Sequence, residues 1–213
     1  HLSLTAFDQQ GQENFNKEWD VVVKQVPRVE IYSPVEGDAF AKVLPVVVSF
    51  GNLPAASLQK ISYFIDNRLV LETKEPLFYQ PLSLTNLLEG DHKLTVKEQT
   101  SAAKELQVQT VTFEKMNTAP ELIIESPVMG VFSGRELNVK FKMTGSATSI
   151  AGMKTLVNGH AFTDFVLKDQ AFLLPSARWS YPELCLVLQA TLADGTKVSD
   201  WTFVNRGAGL AEI

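Results

Sequence analysis

The chain has a single cysteine, Cys185, in 213 residues. No disulfide can form within it, so the fold must rest on its core, and cysteine usage does not decide between a reducing cytosol and a bacterial secreted setting. The three histidines, His1, His92 and His160, stand far apart, and none has another histidine or cysteine at ligand spacing. A zinc site is therefore not expected. There is no Asn-x-Ser/Thr sequon, which favours a bacterial or intracellular origin over a eukaryotic secreted one. No run approaches the roughly eighteen unbroken apolar residues of a membrane span. No leader pattern is visible, and the chain begins at His1 without an initiator methionine, which implies processing upstream. The net charge of −5 supplies no basic face, which disfavours non-specific binding to nucleic acid or an anionic membrane. A phosphate-cradling glycine loop is also missing.

A long repeat is present. Residues 27–37 read PRVEIYSPVEG, and residues 120–130 read PELIIESPVMG. Seven of the eleven positions match in kind, and the copies start 93 residues apart. That spacing is a domain length. Apolar content of 45% and charged content of 20% are ordinary for globular domains, so units of this size can each bury a core.

Between the copies the apolar residues alternate with a period of two, and no window of twelve residues carries a convincing helical period. Val29 and Ile31 form a short strand stopped by Ser33-Pro34. Val46, Val48 and Phe50 form a core strand. Ile61, Tyr63 and Ile65 lead into the turn Asp66-Asn67, and Leu69 and Leu71 follow as the second arm of a hairpin. Pro76 and Pro81 bracket Phe78 and Tyr79, so that strand must lie at an edge or be short. The third copy repeats the plan, with Leu137, Val139, Phe141 and Met143 as its core strand and Asn158-Gly159 as its tight turn. Each copy closes in a hairpin: Leu94 and Val96 with Val108, Val111 and Phe113, then Leu186 and Leu188 with Trp201 and Phe203. Residues 1–23 show the same closing design, with Leu2, Leu4 and Ala6, a turn at residues 8–11, then Trp19, Val21 and Val23.

The expected fold is all-β: tandem sandwiches of about seven strands each. The expected division is a terminal hairpin of a truncated first repeat at 1–25, a second domain at 26–117, a third at 118–206 and a tail at 207–213. A lone hairpin is marginal in water, so the leading 23 residues read as the end of a repeat whose remainder lies upstream. The alternative is a natural hairpin lying on the second domain. The linker at residues 115–119 has no Gly/Ser run, which predicts limited hinge motion.

The strand opening at 27–37, the turns "IDN" and "VNG", the stretch "LEGDHKLTV" and the closing "LSLTAFDQQG" together resemble bacterial immunoglobulin-like repeats. The resemblance covers the chain apart from the tail, and its motifs are architectural. It implies tandem immunoglobulin-like sandwiches of a secreted, periplasmic or cell-surface protein, serving as spacers, adhesion modules or accessory domains. The second copy departs from the pattern at residues 98–103, where the turn Asp and Gly are absent.

Site chemistry is sparse. Ser133 has glycine neighbours without nucleophile-elbow spacing. Cys185 lies in a run apolar at every position, residues 184–188, the setting of a buried small hydrophobe. The junctions lack the carboxylate cluster that calcium requires. His92 reads as a structural hydrogen-bonding residue. Trp19 and Trp201 alternate with apolar neighbours and read as core. Three aromatics remain as candidate ligand contacts. Trp179 and Tyr181 in a loop offer either a carbohydrate platform or a packed corner; Phe78 and Tyr79 are adjacent, so one points in and one out, and an outward Tyr79 is the third candidate. No catalytic, cofactor or metal residue is expected. The functional expectation is a non-catalytic structural or adhesive array in a larger bacterial surface or periplasmic protein. Its partners would be neighbouring domains or another protein. The alternative is a carbohydrate-binding accessory region of a secreted enzyme. The expected location is extracellular, cell-surface or periplasmic.

Overall fold

A computed structural model describes residues 2–7, 13–19, 28–51, 58–75, 78–100, 105–132, 136–145, 149–163, 165–175 and 183–206. Among these residues there are eighteen strands and no helix. No helix long and apolar enough to cross a membrane occurs among them. The all-β expectation holds.

Strands β1 (Leu2–Phe7) and β2 (Glu13–Trp19) pair antiparallel as a hairpin, from Leu2 opposite Trp19 to Phe7 opposite Glu13. The next eight strands are β3 (Arg28–Ser33), β4 (Asp38–Phe40), β5 (Val43–Gly51), β6 (Leu58–Ile65), β7 (Arg68–Thr73), β8 (Tyr79–Ser83), β9 (Gly90–Thr100) and β10 (Glu105–Lys115). The last eight are β11 (Glu121–Ser126), β12 (Gly130–Phe132), β13 (Glu136–Thr144), β14 (Ile150–Val157), β15 (His160–Phe162), β16 (Ala171–Pro175), β17 (Glu183–Leu192) and β18 (Lys197–Arg206).

The two sets of eight share one wiring diagram. In the first, β3-β5-β8 form one sheet, while β7-β6-β9-β10 form the other with β4 parallel to β10. In the second, β11-β13-β16 face β15-β14-β17-β18, with β12 parallel to β18. Each set closes as a sandwich on its own apolar cluster. The first is built around Val46, Val48, Tyr63, Leu94 and Phe113, the second around Val139, Phe141, Phe172, Leu186 and Leu188. This is the two-sheet immunoglobulin-like arrangement, with inward-facing residues of both sheets making the core.

The repeated string acts as a crossover device in both sandwiches. β3 and β11 each lose register after Ile31 and Ile124, and the Ser33-Pro34 and Ser126-Pro127 peptides that follow are both cis. The chain then leaves the first sheet and joins the second as β4 or β12. At each register shift a side chain from the facing sheet receives the freed amide. Ile31 N–H donates to Gln109 Oε1, and Ile124 N–H donates to Asp200 Oδ2 at 2.7 Å. Buried amides require such a partner.

The turn signals hold at both hairpins. Asp66 and Asn67 take φ of 50° and 66°, and Asn158 and Gly159 take 48° and 78°, the left-handed pair that a two-residue type I′ turn needs. The first residue of each turn also pins the hairpin to its neighbour. Asp66 Oδ1 accepts from Lys93 N–H at 2.9 Å, and Asn158 Oδ1 accepts from Cys185 N–H at 2.7 Å. A third such turn, Asp169-Gln170 with φ of 50° and 57°, was not signalled by a glycine. β8 is a short edge strand, which suits its Pro81, and Pro81 lies opposite Pro45.

Candidate functional site

The residues with most to explain lie between the two sandwiches. β17 is buried along nearly its whole length. Leu184, Leu186 and Leu188 point into their own core. Cys185 and Val187 point the other way and join Tyr32, Val35, Val47 and Leu156 in a separate buried cluster. A strand covered on both faces reads as a continuous apolar run rather than an alternating one, which accounts for residues 184–188. The matching strand β9 alternates: Leu94 and Val96 point inward, and Lys93, Thr95 and Lys97 occupy the positions between them. The outer face of the sheet containing β17 is apolar, and there it meets Tyr32 and Val47 on the outer face of β3 and β5.

Aromatic rings line the rim of this seam. Phe78 meets Phe203 at 4.9 Å between ring centroids and Trp201 at 5.9 Å, both edge to face. Tyr79 lies 5.1 Å from Trp201, tilted by 38°. The expectation that Trp201 belongs to the core of its own sandwich is therefore corrected. It projects from the outer face of β18 and is only partly buried, against the first sandwich. Tyr79 is 41% exposed at the edge of the same seam, and Phe78 beside it also packs there. Trp179, Tyr181 and Ser133 lie outside the described residues, and so do the residues of the turn at 8–11.

A carboxylate forms the polar centre of the seam. Asp38, at the start of β4, is fully buried. Val35 N–H donates to its Oδ2 at 2.7 Å within the first sandwich. Two donors come from the second sandwich: Gln189 Nε2 to Oδ1 at 2.6 Å, and the Ser199 hydroxyl to Oδ2. Gln189 Nε2 also reaches the Glu36 carbonyl at 3.4 Å. Burial pushes the Asp38 carboxyl above the ordinary range and outweighs the opposing pull of its three donors and of Lys197. The backbones meet as well. Asp38 bridges to Lys197 in parallel register, so β4 lies between β10 and β18 and the large sheets of both sandwiches run together.

Two glycines let the surfaces approach. Gly37 has φ of +79°, and a Cβ there would sit 3.3 Å from Lys197 Nζ. Gly159 has φ of +78°, and a Cβ there would come within 3.1 Å of Tyr32 Cε1. The turn glycine of the second sandwich thus serves its hairpin and the seam together.

His92 Nδ1 lies 2.5 Å from Asp66 Oδ2, and His92 Nε2 reaches the Leu88 carbonyl at 2.9 Å. This agrees with the hydrogen-bonding role expected of His92. Cys185 is buried in the seam, and burial pushes its thiol up to about 12, the state of an unreactive thiol. Among the described residues no three His, Cys, Asp or Glu side chains gather as a metal site. An open groove of about 680 Å³ lies on the second sandwich beside Phe165, Phe172 and Leu173.

No family model matches the chain, and no curated protein sequence matches it. Among solved structures it is similar to the fibronectin(III)-like modules of Clostridium thermocellum CbhA, at 15% identity, covering 87% of this chain and 97% of that one, with a TM-score of 0.39. It is also similar to the tandem Ig repeats of Dlar, at 11% identity, covering 86% and 99%, with a TM-score of 0.39. A third similarity is to the Bacteroides ovatus mixed-linkage glucan utilization locus protein SGBP-B in complex with a mixed-linkage heptasaccharide. There the identity is 17%, the coverage 85% and 48%, and the TM-score 0.30.

Proposed function

We propose that the chain is a non-catalytic structural module, an array of immunoglobulin-like domains that holds or spaces other parts of a larger bacterial surface or periplasmic protein. The single observation that carries this reading is the locked seam around Asp38. Two sandwiches joined by a few residues would otherwise swivel; here the seam combines an apolar cluster, three donors on a buried carboxylate and a shared sheet. Rigid spacing is what such a joint provides. In this reading residues 1–25 are the closing hairpin of a first repeat, 26–117 and 118–206 are the second and third domains, and 207–213 is a tail. The partners are neighbouring domains of the same protein or another protein. Small-angle scattering tests the reading. The wild type should fit one rigid two-domain shape, and Val187→Glu should broaden its distance distribution. An already broad distribution in the wild type, or turnover of polymer substrates by the purified chain, would remove the reading.

A second reading, carbohydrate binding beside an enzyme, draws on one observation. Tyr79 keeps an exposed ring propped against Trp201, the kind of aromatic surface on which a sugar ring stacks. Pull-down on insoluble polysaccharides, with Tyr79→Ala as the control, tests it. Binding that is absent, or equal in both proteins, counts against it.

A further inference from the structure

The elbow that docks the first sandwich onto the second has a counterpart in the second sandwich, and that counterpart is uncovered. In the first elbow, residues 33–40 read SPVEGDAF. In the second, residues 126–132 read SPVMGVF, one residue shorter. Both lead from the cis proline into a short strand that runs parallel to the last strand of its own sandwich. Val35 is 8% exposed because the second sandwich covers it. Its counterpart Val128 is 75% exposed, and Met129 and Val131 beside it are 63% and 76% exposed. Three large apolar side chains exposed within four residues differ from the single exposed hydrophobics that any surface carries.

The backbone repeats the contrast. β4 has β10 on one side and β18 on the other. β12 pairs with β18 alone among the described residues, so its second edge is open. An open edge beside apolar side chains is a template for strand addition. The chemistry of the occupant also follows. The first elbow buries a carboxylate and meets the polar donors Gln189 and Ser199. The second has no residue equivalent to Asp38 and carries no charge at residues 126–132. Its complement is an apolar sheet face like that of Cys185, Val187, Trp201 and Phe203, but with apolar residues in place of the donors Gln189 and Ser199.

We propose that Val128, Met129 and Val131, with the open edge of β12, form a docking site for a further β-sandwich presenting an apolar outer sheet face. The join would continue the relation between the first and second sandwiches. The proposal rests on reading the chain as a domain array, and its test is separate from that of the locked seam.

The chain can supply its own probe. Val35→Glu with Asp38→Lys opens the internal seam, and Gln189→Leu with Ser199→Ala removes its donor pair, which bares an apolar outer face of β17 and β18. An opened molecule then carries both a free face and a free elbow, and such heterologous surfaces join head to tail. In sedimentation velocity the wild type should remain monomeric. The opened variant should gain mass with concentration, toward multiples of the monomer. Adding Val128→Glu, Met129→Glu and Val131→Lys should return it to a monomer. Val35→Glu alone replaces the Val35→Glu and Asp38→Lys pair where circular dichroism shows the opened variant unfolded. A folded, opened chain that stays monomeric overturns the proposal, as do oligomers that persist without the apolar elbow. Wild-type self-association that vanishes with the elbow substitutions would also overturn it, since the occupant would then be a second elbow rather than a sheet face.

Discussion

Asp38→Ala separates the seam from the two cores it joins. The substitution leaves the Val35 amide, the Gln189 amide group and the Ser199 hydroxyl without their common acceptor. A buried donor left unsatisfied costs about 1–3 kcal/mol. The Ser199 hydroxyl can rotate to another acceptor, so two donors carry most of the loss. Removing the carboxylate also returns part of its burial cost, which its raised pKa reveals. The expected net loss is about 2–4 kcal/mol, roughly 30- to 700-fold in the docking equilibrium. Cys185 is the reporter. It is buried only while the sandwiches are docked on its side of β17, so its reaction with a disulfide reagent tracks the fraction of open seams. Labelling of Asp38→Ala under native conditions should accelerate by that same factor, with both sandwiches still folded by circular dichroism. Asp38→Asn keeps an acceptor for Gln189 and should fall between the two. A labelling rate within about threefold of wild type would refute the role given to Asp38, because that is under 1 kcal/mol of docking energy.

Other perturbations give distinct outcomes. Glu98 is buried in the first sandwich, neither of its carboxylate oxygens has a hydrogen-bond partner among the described residues, and burial raises its pKa above the ordinary 4.5. The stability linked to Glu98 is thus complete below 4.5 and lost as pH rises through the raised folded value; Glu98→Met should gain about 1–3 kcal/mol near neutrality in urea unfolding and flatten that dependence. For His92, burial is the largest single influence and would lower the pKa, but the hydrogen bonds to Asp66 and the Leu88 carbonyl and the charges of Asp66 and Asp91 together raise it. For Asp66, burial alone would raise the pKa, but the bonds from His92 and Lys93 win and lower it. The pair therefore stabilises the fold between the two folded pKa values, losing its effect as pH falls through that of Asp66 or rises through that of His92. Titration by NMR should show Asp66 moving up toward 3.8 in His92→Ala; an unmoved Asp66 would deny the pair. Gly159→Ala puts a Cβ at positive φ and against Tyr32, and should cost about 1–3 kcal/mol in thermal unfolding. A cost within error of zero would mean that Tyr32 does not pack as described.

Much of the fold was legible because its signals are local. Asp66-Asn67 and Asn158-Gly159 force their turns by backbone conformation alone, and Pro81, with its missing N–H, suits the short edge strand β8. The repeat at 27–37 and 120–130 carried the crossover plan. The seam was harder to read because it depends on what lies across from a strand. Trp201 alternates with apolar neighbours whether it faces its own core or another sandwich, so the period of two could not choose its side. A signal did exist in the difference between copies. Lys93 and Thr95 sit where Cys185 and Val187 do, and an outer face that turns apolar in one repeat only is a face that something covers. Asp38 was invisible for a related reason: an aspartate after a glycine reads as a turn residue until its donors from residues 189 and 199 are seen.

The central claim is that the two sandwiches move as one body. Backbone ¹⁵N relaxation measures this directly, by fitting rotational diffusion separately for residues 29–115 and 121–205. The account predicts a single diffusion tensor for both, and two independent ones in Asp38→Ala with Val187→Glu. Two sandwiches that already tumble independently in the wild type would contradict it.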